Sequence, residues 1–301
     1  MKKVSAGIIA LCIKAGPKIF SVFAKMLKGV KVGKVGLAGA STATYAYMFT
    51  WEFALMIMLL LFVHESGHIW AMKRCGMKTK GIYFIPFIGA AAVTDGEFPS
   101  RRATVFIALM GPLWGFALSG IAALVYFATE NPLFAAAASW MALINLFNLL
   151  PISPLDGGRV LSAIAFSVHS WLGFIFLSIG IIASAVIAIY LGLSLFWVLL
   201  IIGVLELIFE YRKYRKAERA PSRLRYCKRC ENPEKQECPP FKYGYKFRKE
   251  DDDPVVLAPM SSLWILASAA AYLLTAAVLY IIMAGTAHIP GADSAMEILV
   301  G

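Results

Sequence analysis

Between Val160 and Phe209 the chain carries only His169 and Glu206 from among its Asp, Glu, Lys, Arg and His residues. A helix crossing a bilayer needs about 20 consecutive apolar residues, so this run is long enough for two spans with some tilt. The same arithmetic applies elsewhere. Gly36 to Met72 is almost wholly apolar and too long for one span, with Thr50-Trp51-Glu52 as its natural break, which predicts two helices, the first short. Apolar runs at 103–128 and 133–150 flank the turn signal Thr129-Glu130-Asn131-Pro132 and predict an antiparallel pair. A last span covers 261–285.

One apolar stretch reads differently. From Gly81 to Val93 the residues are β-branched and aromatic, punctuated by Pro86 and Gly89 and closed by Thr94-Asp95-Gly96. That pattern predicts strands. The expected fold class is an all-α polytopic membrane protein of about six or seven transmembrane helices with a small membrane-associated β-strand element. Composition agrees: 59% of residues are hydrophobic and 16% charged, with a mean hydropathy of +0.71, outside the usual range of soluble domains.

A net charge of +11 invites a nucleic-acid partner. The basic residues cluster beside the apolar runs, however, where they serve as cytoplasmic anchors on the lipid bilayer, and no nucleic-acid partner is expected. Residues 1–35 space Lys14, Lys18, Lys25, Lys28, Lys31 and Lys34 among apolar residues, which suits a basic amphipathic helix on an anionic surface or a solvated linker. Lys14 and Lys18 interrupt the leader-like apolar stretch, so the amino terminus is expected to be retained. The divisions that follow are a transmembrane core over 36–210, a basic polar insert over 211–258, a final helix over 259–285 and a tail over 286–301. The positive-inside rule places the insert, together with Lys73, Arg74, Lys78, Lys80, Arg101 and Arg102, on the cytoplasmic side. Cys12, Cys75, Cys227, Cys230 and Cys238 are too sparse for a disulfide scaffold and are read as thiols. Cys227, Cys230 and Cys238 have no fourth Cys or His nearby to complete a structural zinc site.

Within the second span lies His64-Glu65-Ser66-Gly67-His68. On a helix, residues i and i+4 share a face, so two imidazoles can grip one zinc ion while Glu65 acts on the proton of an attacking water. Each ionisable residue inside a span costs about 2.5–3.5 kcal/mol, and three within five residues call for one common explanation. A catalytic zinc wants three protein ligands and an open position. His169 reads as a hydrogen-bonded interior residue of a helical run, and His288 falls after the last span. Asp156, in Asn148-Leu149-Leu150-Pro151-Ile152-Ser153-Pro154-Leu155-Asp156-Gly157-Gly158-Arg159, is open to two compatible readings: third ligand, or N-cap of the helix it precedes.

These residues resemble the site-2 proteases, zinc enzymes that cut substrates within the membrane. The resemblance covers about residues 50–165. It rests on His64-Glu65-Ser66-Gly67-His68 in a span, on Asn148-x-x-Pro151 followed by Leu155-Asp156-Gly157, and on Gly111-Pro112 between them. It implies one catalytic Zn2+ held by His64, His68 and Asp156, with Glu65 as proton shuttle and Asn148 positioning the substrate or stabilising the oxyanion. It also implies that Phe84 to Val93 is the family's embedded strand element, where Gly89 would allow close backbone approach.

The expected function is hydrolysis of peptide bonds in or near transmembrane segments of other membrane proteins, in a multi-pass protein of the cell membrane whose active site lies nearer the cytoplasmic side. The substrate would lie extended beside Phe84, Ile85, Phe87, Gly89, Ala90, Ala91 and Val93, an unwound peptide gaining backbone partners there, with Ala91 and Val93 as edge positions. The rival is a non-catalytic scaffold or chaperone with a structural zinc. The polar insert is short and too rich in Lys, Arg and Pro for the peptide-binding module that many relatives carry.

Overall fold

A computed structural model of the chain describes residues 32–289, apart from 49, 86–88, 97, 192–193, 220–256 and 258. The expectations for residues 1–31, for Phe87 and for Cys12, Cys227, Cys230 and Cys238 lie outside the described residues.

The elements run α1 (Val32–Met48), α2 (Trp51–Arg74), β1 (Thr79–Ile85), β2 (Gly89–Thr94), α3 (Arg101–Thr129), α4 (Pro132–Asn148), α5 (Asp156–Val168), α6 (Ser170–Leu191), α7 (Ser194–Arg219) and α8 (Ser262–Thr286). Local chemistry sets the boundaries. The hydroxyl of Thr50 accepts the N–H of Phe53 at 3.3 Å and starts α2 where the Thr50-Trp51-Glu52 break was read. Glu130 ends α3 in the left-handed region at φ 56°, and Asn131 caps α4 by accepting the N–H of Leu133, with Pro132 at the first helical position.

Among the described residues, four helices are long and apolar enough to cross a membrane: Trp51–Arg74, Arg101–Thr129, Ser170–Tyr190 and Ser262–Thr286. α4 is a shorter apolar helix of 17 residues, about 25 Å long against a hydrocarbon core of about 30 Å. Large apolar side chains lie on the outside. On α6, Ile175, Ile179, Ile182 and Val186 are all exposed at helical spacing, an apolar stripe suited to lipid.

α3 is the central helix, packed against α2, α4, α5 and α8. Val105, Ala108 and Leu109 from α3 form one core with Ala142, Val160, Ala163, Leu279 and Met283. α2 approaches closely because Gly67 has no side chain: a Cβ there would lie 2.3 Å from the carbonyl oxygen of Met110. β1 and β2 form an antiparallel hairpin with Ile82 opposite Ala92 and Phe84 opposite Ala90, and β2 lies against α2. The strand expectation for this stretch holds.

Two readings change. Val160 to Phe209 was expected to be two spans with His169 inside a helical run, yet α5 stops at Val168. His169 is its extended C-cap, exposed, and the ring Nδ1 accepts the N–H of Trp171 at 3.2 Å. An imidazole at a helix start satisfies a free N–H, so the histidine breaks the run instead of sitting within it. The boundary at 211 also falls inside a helix, since α7 continues to Arg219.

Candidate metal centre

His64 and His68 project from one face of α2, as the i, i+4 spacing predicts, and both are buried. Each ring is held through Nδ1. His68 Nδ1 donates to the carbonyl of Ile107 at 2.7 Å; because that oxygen can only accept, the proton sits on Nδ1. His64 Nδ1 lies 2.9 Å from Asn145 Oδ1. The Asn145 amide donates through Nδ2 to Met141 O at 2.7 Å, which turns its oxygen toward the ring and makes His64 Nδ1 the donor there. Both imidazoles therefore present an Nε2 lone pair on the same side.

The third group is Asp156. It is the first residue of α5, and the N-cap residue before it, Leu155, makes no side-chain cap. Oδ2 lies 3.1 Å from His64 Nε2 and 3.1 Å from His68 Nε2, and the two Nε2 atoms are 3.1 Å apart. Of the two readings left open for Asp156, the geometry thus brings the carboxylate to the histidines.

This triangle consists of three lone-pair acceptors with no obvious donor. A proton on one ring would serve at most part of it, whereas a cation at its centre would serve all three corners. Zinc bonded to N and O at about 2.0–2.1 Å in tetrahedral geometry puts its ligands about 3.3 Å from one another. The residues present therefore fit the ion. Among the described residues this group comprises His64, His68 and Asp156, a set of three that suits a catalytic more than a closed structural site.

Small residues make the room. A Cβ on Gly111 would stand 2.2 Å from His68 Nε2, and one on Gly115 would stand 2.0 Å from Asn145 Oδ1. One turn apart on α3, Gly111 makes room for both rings and Gly115 for the amide that orients one of them. Gly157 and Gly158 let the start of α5 close onto its own lead-in: a Cβ would fall 2.0 Å from Leu149 O and 2.4 Å from Ile152 C respectively.

Glu65 is buried and turns toward the hairpin, where its Oε2 accepts the N–H of Ala92 at 2.6 Å. In an antiparallel pair successive N–H groups point to opposite sides, so the edge facing α2 belongs to Ala90 and Ala92, while Ala91 and Val93 face β1. Alternation moves the outward donors one residue from the positions read from the sequence. Phe84 is buried against Ile57 and Leu61 of α2, and Ile85 is exposed. Gly89 has its nearest neighbour at 3.9 Å but a φ of 121°, so backbone conformation, not close approach, calls for glycine there.

Asn148 is the half-buried last residue of α4, one turn beyond Asn145. The amide against the imidazole is that of Asn145, which sequence reasoning passed over. Its signal was an amide in an otherwise apolar helical run.

Residues 52–138 match the model of Peptidase family M50. The Mycobacterium tuberculosis protein Rip3, named as a zinc metalloprotease, is 32% identical over 142 residues, covering 44% of this chain and 36% of that protein. A protein of Methanocaldococcus jannaschii named as a zinc metalloprotease is 32% identical over 162 residues, 50% of this chain and 44% of that one. The chain thus spans less than half the length of these curated relatives. The solved site-2 protease from M. jannaschii aligns at 23% identity and a TM-score of 0.41, covering 58% of this chain and 85% of that structure. The metalloprotease character read from the motifs agrees with the match to Peptidase family M50 and with the names of these relatives as zinc metalloproteases.

Proposed function

We propose that this chain is an intramembrane zinc metalloprotease that hydrolyses peptide bonds in or near the transmembrane segments of other membrane proteins. The observation that carries the reading is the triangle of His64 Nε2, His68 Nε2 and Asp156 Oδ2, three acceptors at 3.1 Å from one another in an apolar helix bundle. His64, His68 and Asp156 would hold the ion, which when bound supplies Lewis acidity toward a peptide carbonyl.

The chain's own residues do the rest. Asn145 and the Ile107 carbonyl fix both ring tautomers, so the ligand atoms are aimed before any ion arrives. Glu65, next to His64 on α2, takes a proton from the attacking water and returns it to the leaving amine. Packed helices exclude bulk water. A transmembrane substrate must unwind before its carbonyl is accessible, and the freed backbone groups then need partners. The edge of β2 at Ala90 and Ala92 supplies them by strand addition. Docking there competes with Glu65 for the Ala92 N–H and so frees the carboxylate for proton transfer. Asn148, at the end of α4, is assigned to positioning the substrate. The basic residues flanking the spans favour a site nearer the cytoplasmic face of the cell membrane.

The test uses the full chain purified into liposomes with a transmembrane substrate carrying helix-breaking residues. Chelation should abolish cleavage and added zinc restore it; Glu65→Gln should bind one zinc per chain and cleave nothing. Cleavage by Glu65→Gln at the wild-type rate would end the proposal.

A further inference from the structure

α7 carries an acidic residue that the chemistry above does not use. Glu206 lies within the apolar stretch Phe196–Phe209. A carboxylate in such a helix is costly and rarely kept without a partner. Its partner is Ser153, whose buried hydroxyl donates to Glu206 Oε2.

Ser153 belongs to the irregular connection 149–155 that delivers Asp156 to the start of α5. One turn before Glu206 on the same face, Gly203 also borders this connection, a Cβ there standing at ordinary contact distance, 3.4 Å, from Ser153 O. Ile152 packs beside it against Ala188, Phe196 and Leu199. At its other end the connection is held from α8, where the hydroxyl of Tyr272 donates to Leu149 O at 2.6 Å. α7 is itself tied to the bundle, its Tyr214 hydroxyl lying 3.0 Å from Ser170 Oγ and 3.5 Å from Arg101 Nη2. The connection is therefore fixed from both sides by side chains reaching in from separate helices.

We infer that Glu206 is a positioning residue for the metal centre: through Ser153 it locks the lead-in to Asp156 and so sets where that carboxylate stands relative to the two imidazoles. The inference rests on the zinc reading of the site. It assigns a role to an acidic side chain of α7 that touches the segment presenting the third ligand, at Ser153, three residues before Asp156 in the chain.

The experiment compares Glu206→Leu, Glu206→Gln, Ser153→Ala and the double variant Ser153→Ala/Glu206→Leu in the full chain in nanodiscs. Zinc affinity is read by competition with a chelator, and hydrogen exchange is followed over 149–156. Glu206→Leu, apolar and compatible with the membrane, should weaken zinc binding about tenfold or more, within the range found for groups behind metal ligands, and speed exchange in the connection. Ser153→Ala should do the same, and the double variant should be no weaker than Glu206→Leu, because both remove one interaction. Glu206→Gln should stay near wild type, its amide oxygen still accepting from Ser153. Wild-type zinc affinity and exchange in Glu206→Leu would overturn the inference. So would a silent Ser153→Ala beside a weakened Glu206→Leu. A wild-type chain that takes up no zinc would defeat the metalloprotease reading instead, while the exchange comparison would still decide whether Glu206 orders the connection.

Discussion

Gly111→Ala adds a single methyl group at the floor of the metal centre. That carbon would stand 2.2 Å from His68 Nε2, 2.4 Å from its Cε1 and 2.8 Å from His64 Nε2. Ordinary contact begins at 3.4 Å, so the His68 ring must retreat by about 1 Å or α2 must part from α3. Ligand distances in a zinc site tolerate about 0.2 Å. The site therefore loses its geometry even where the fold survives. Overpacking of this kind costs about 1–3 kcal/mol, and since about 1.4 kcal/mol is a factor of ten, zinc affinity should fall by about fivefold to a hundredfold or a little more. Helix propensity works the other way, favouring alanine by about 0.8–1.0 kcal/mol, so helix content should not drop. Gly120 on the same helix is the control: a Cβ there meets nothing within 4 Å, and Gly120→Ala should leave zinc affinity unchanged. The assay is chelator competition on both variants, with circular dichroism for helix content. A Gly111→Ala chain that binds zinc like wild type with its helices intact would refute the reasoning.

Asn145→Leu removes the acceptor from His64 Nδ1 and should lower zinc affinity about 10–100-fold, whereas Asn145→Asp keeps an acceptor and should lose less; equal affinities in the two would count against the role. Ala90→Pro deletes a donor on the outward edge of β2 and should cut turnover at near-normal zinc content and melting temperature, while Ala91→Pro, on the side facing β1, should lower the melting temperature. Identical behaviour of the two would show that the edges are misassigned. Cys75 closes α2 and packs with Ala71, Met72 and Ile107, where burial pushes its thiol up to about 11. Maleimide should therefore modify it slowly at pH 8 in the native chain and quickly in denaturing detergent, and fast native labelling would contradict that packing.

How much of this was legible in the sequence depended on the range of the interaction. His64 and His68 share a face because helical periodicity is local, and the break at Thr50 follows from one capping hydroxyl. The hairpin was also readable, since β-branched residues and turn signals lie within a few positions of one another. Asp156 is 88 residues from His68, and nothing local separates a ligand from a cap; motif likeness supplied what periodicity did not. The same likeness drew attention to Asn148, although the amide on His64 belongs to Asn145, because the packing of α4 on α3 over Gly115 decides which face meets the ring. His169 looked interior because it stands between Ser167 and Ser170 in an apolar run, whereas its backbone is extended and its ring accepts the N–H of Trp171 at the start of α6. Which donors of β2 face α2 depended on register, which a single strand sequence does not specify.

X-ray absorption at the zinc edge of the purified full chain tests the central claim most directly. The account predicts one zinc per chain with a shell of nitrogen and oxygen only, at about 2.0–2.1 Å, showing the multiple scattering of two imidazoles, and loss of that spectrum in His64→Ala or Asp156→Ala. A shell containing sulfur at about 2.3 Å, unchanged in those variants, would place the metal on cysteines and contradict the account.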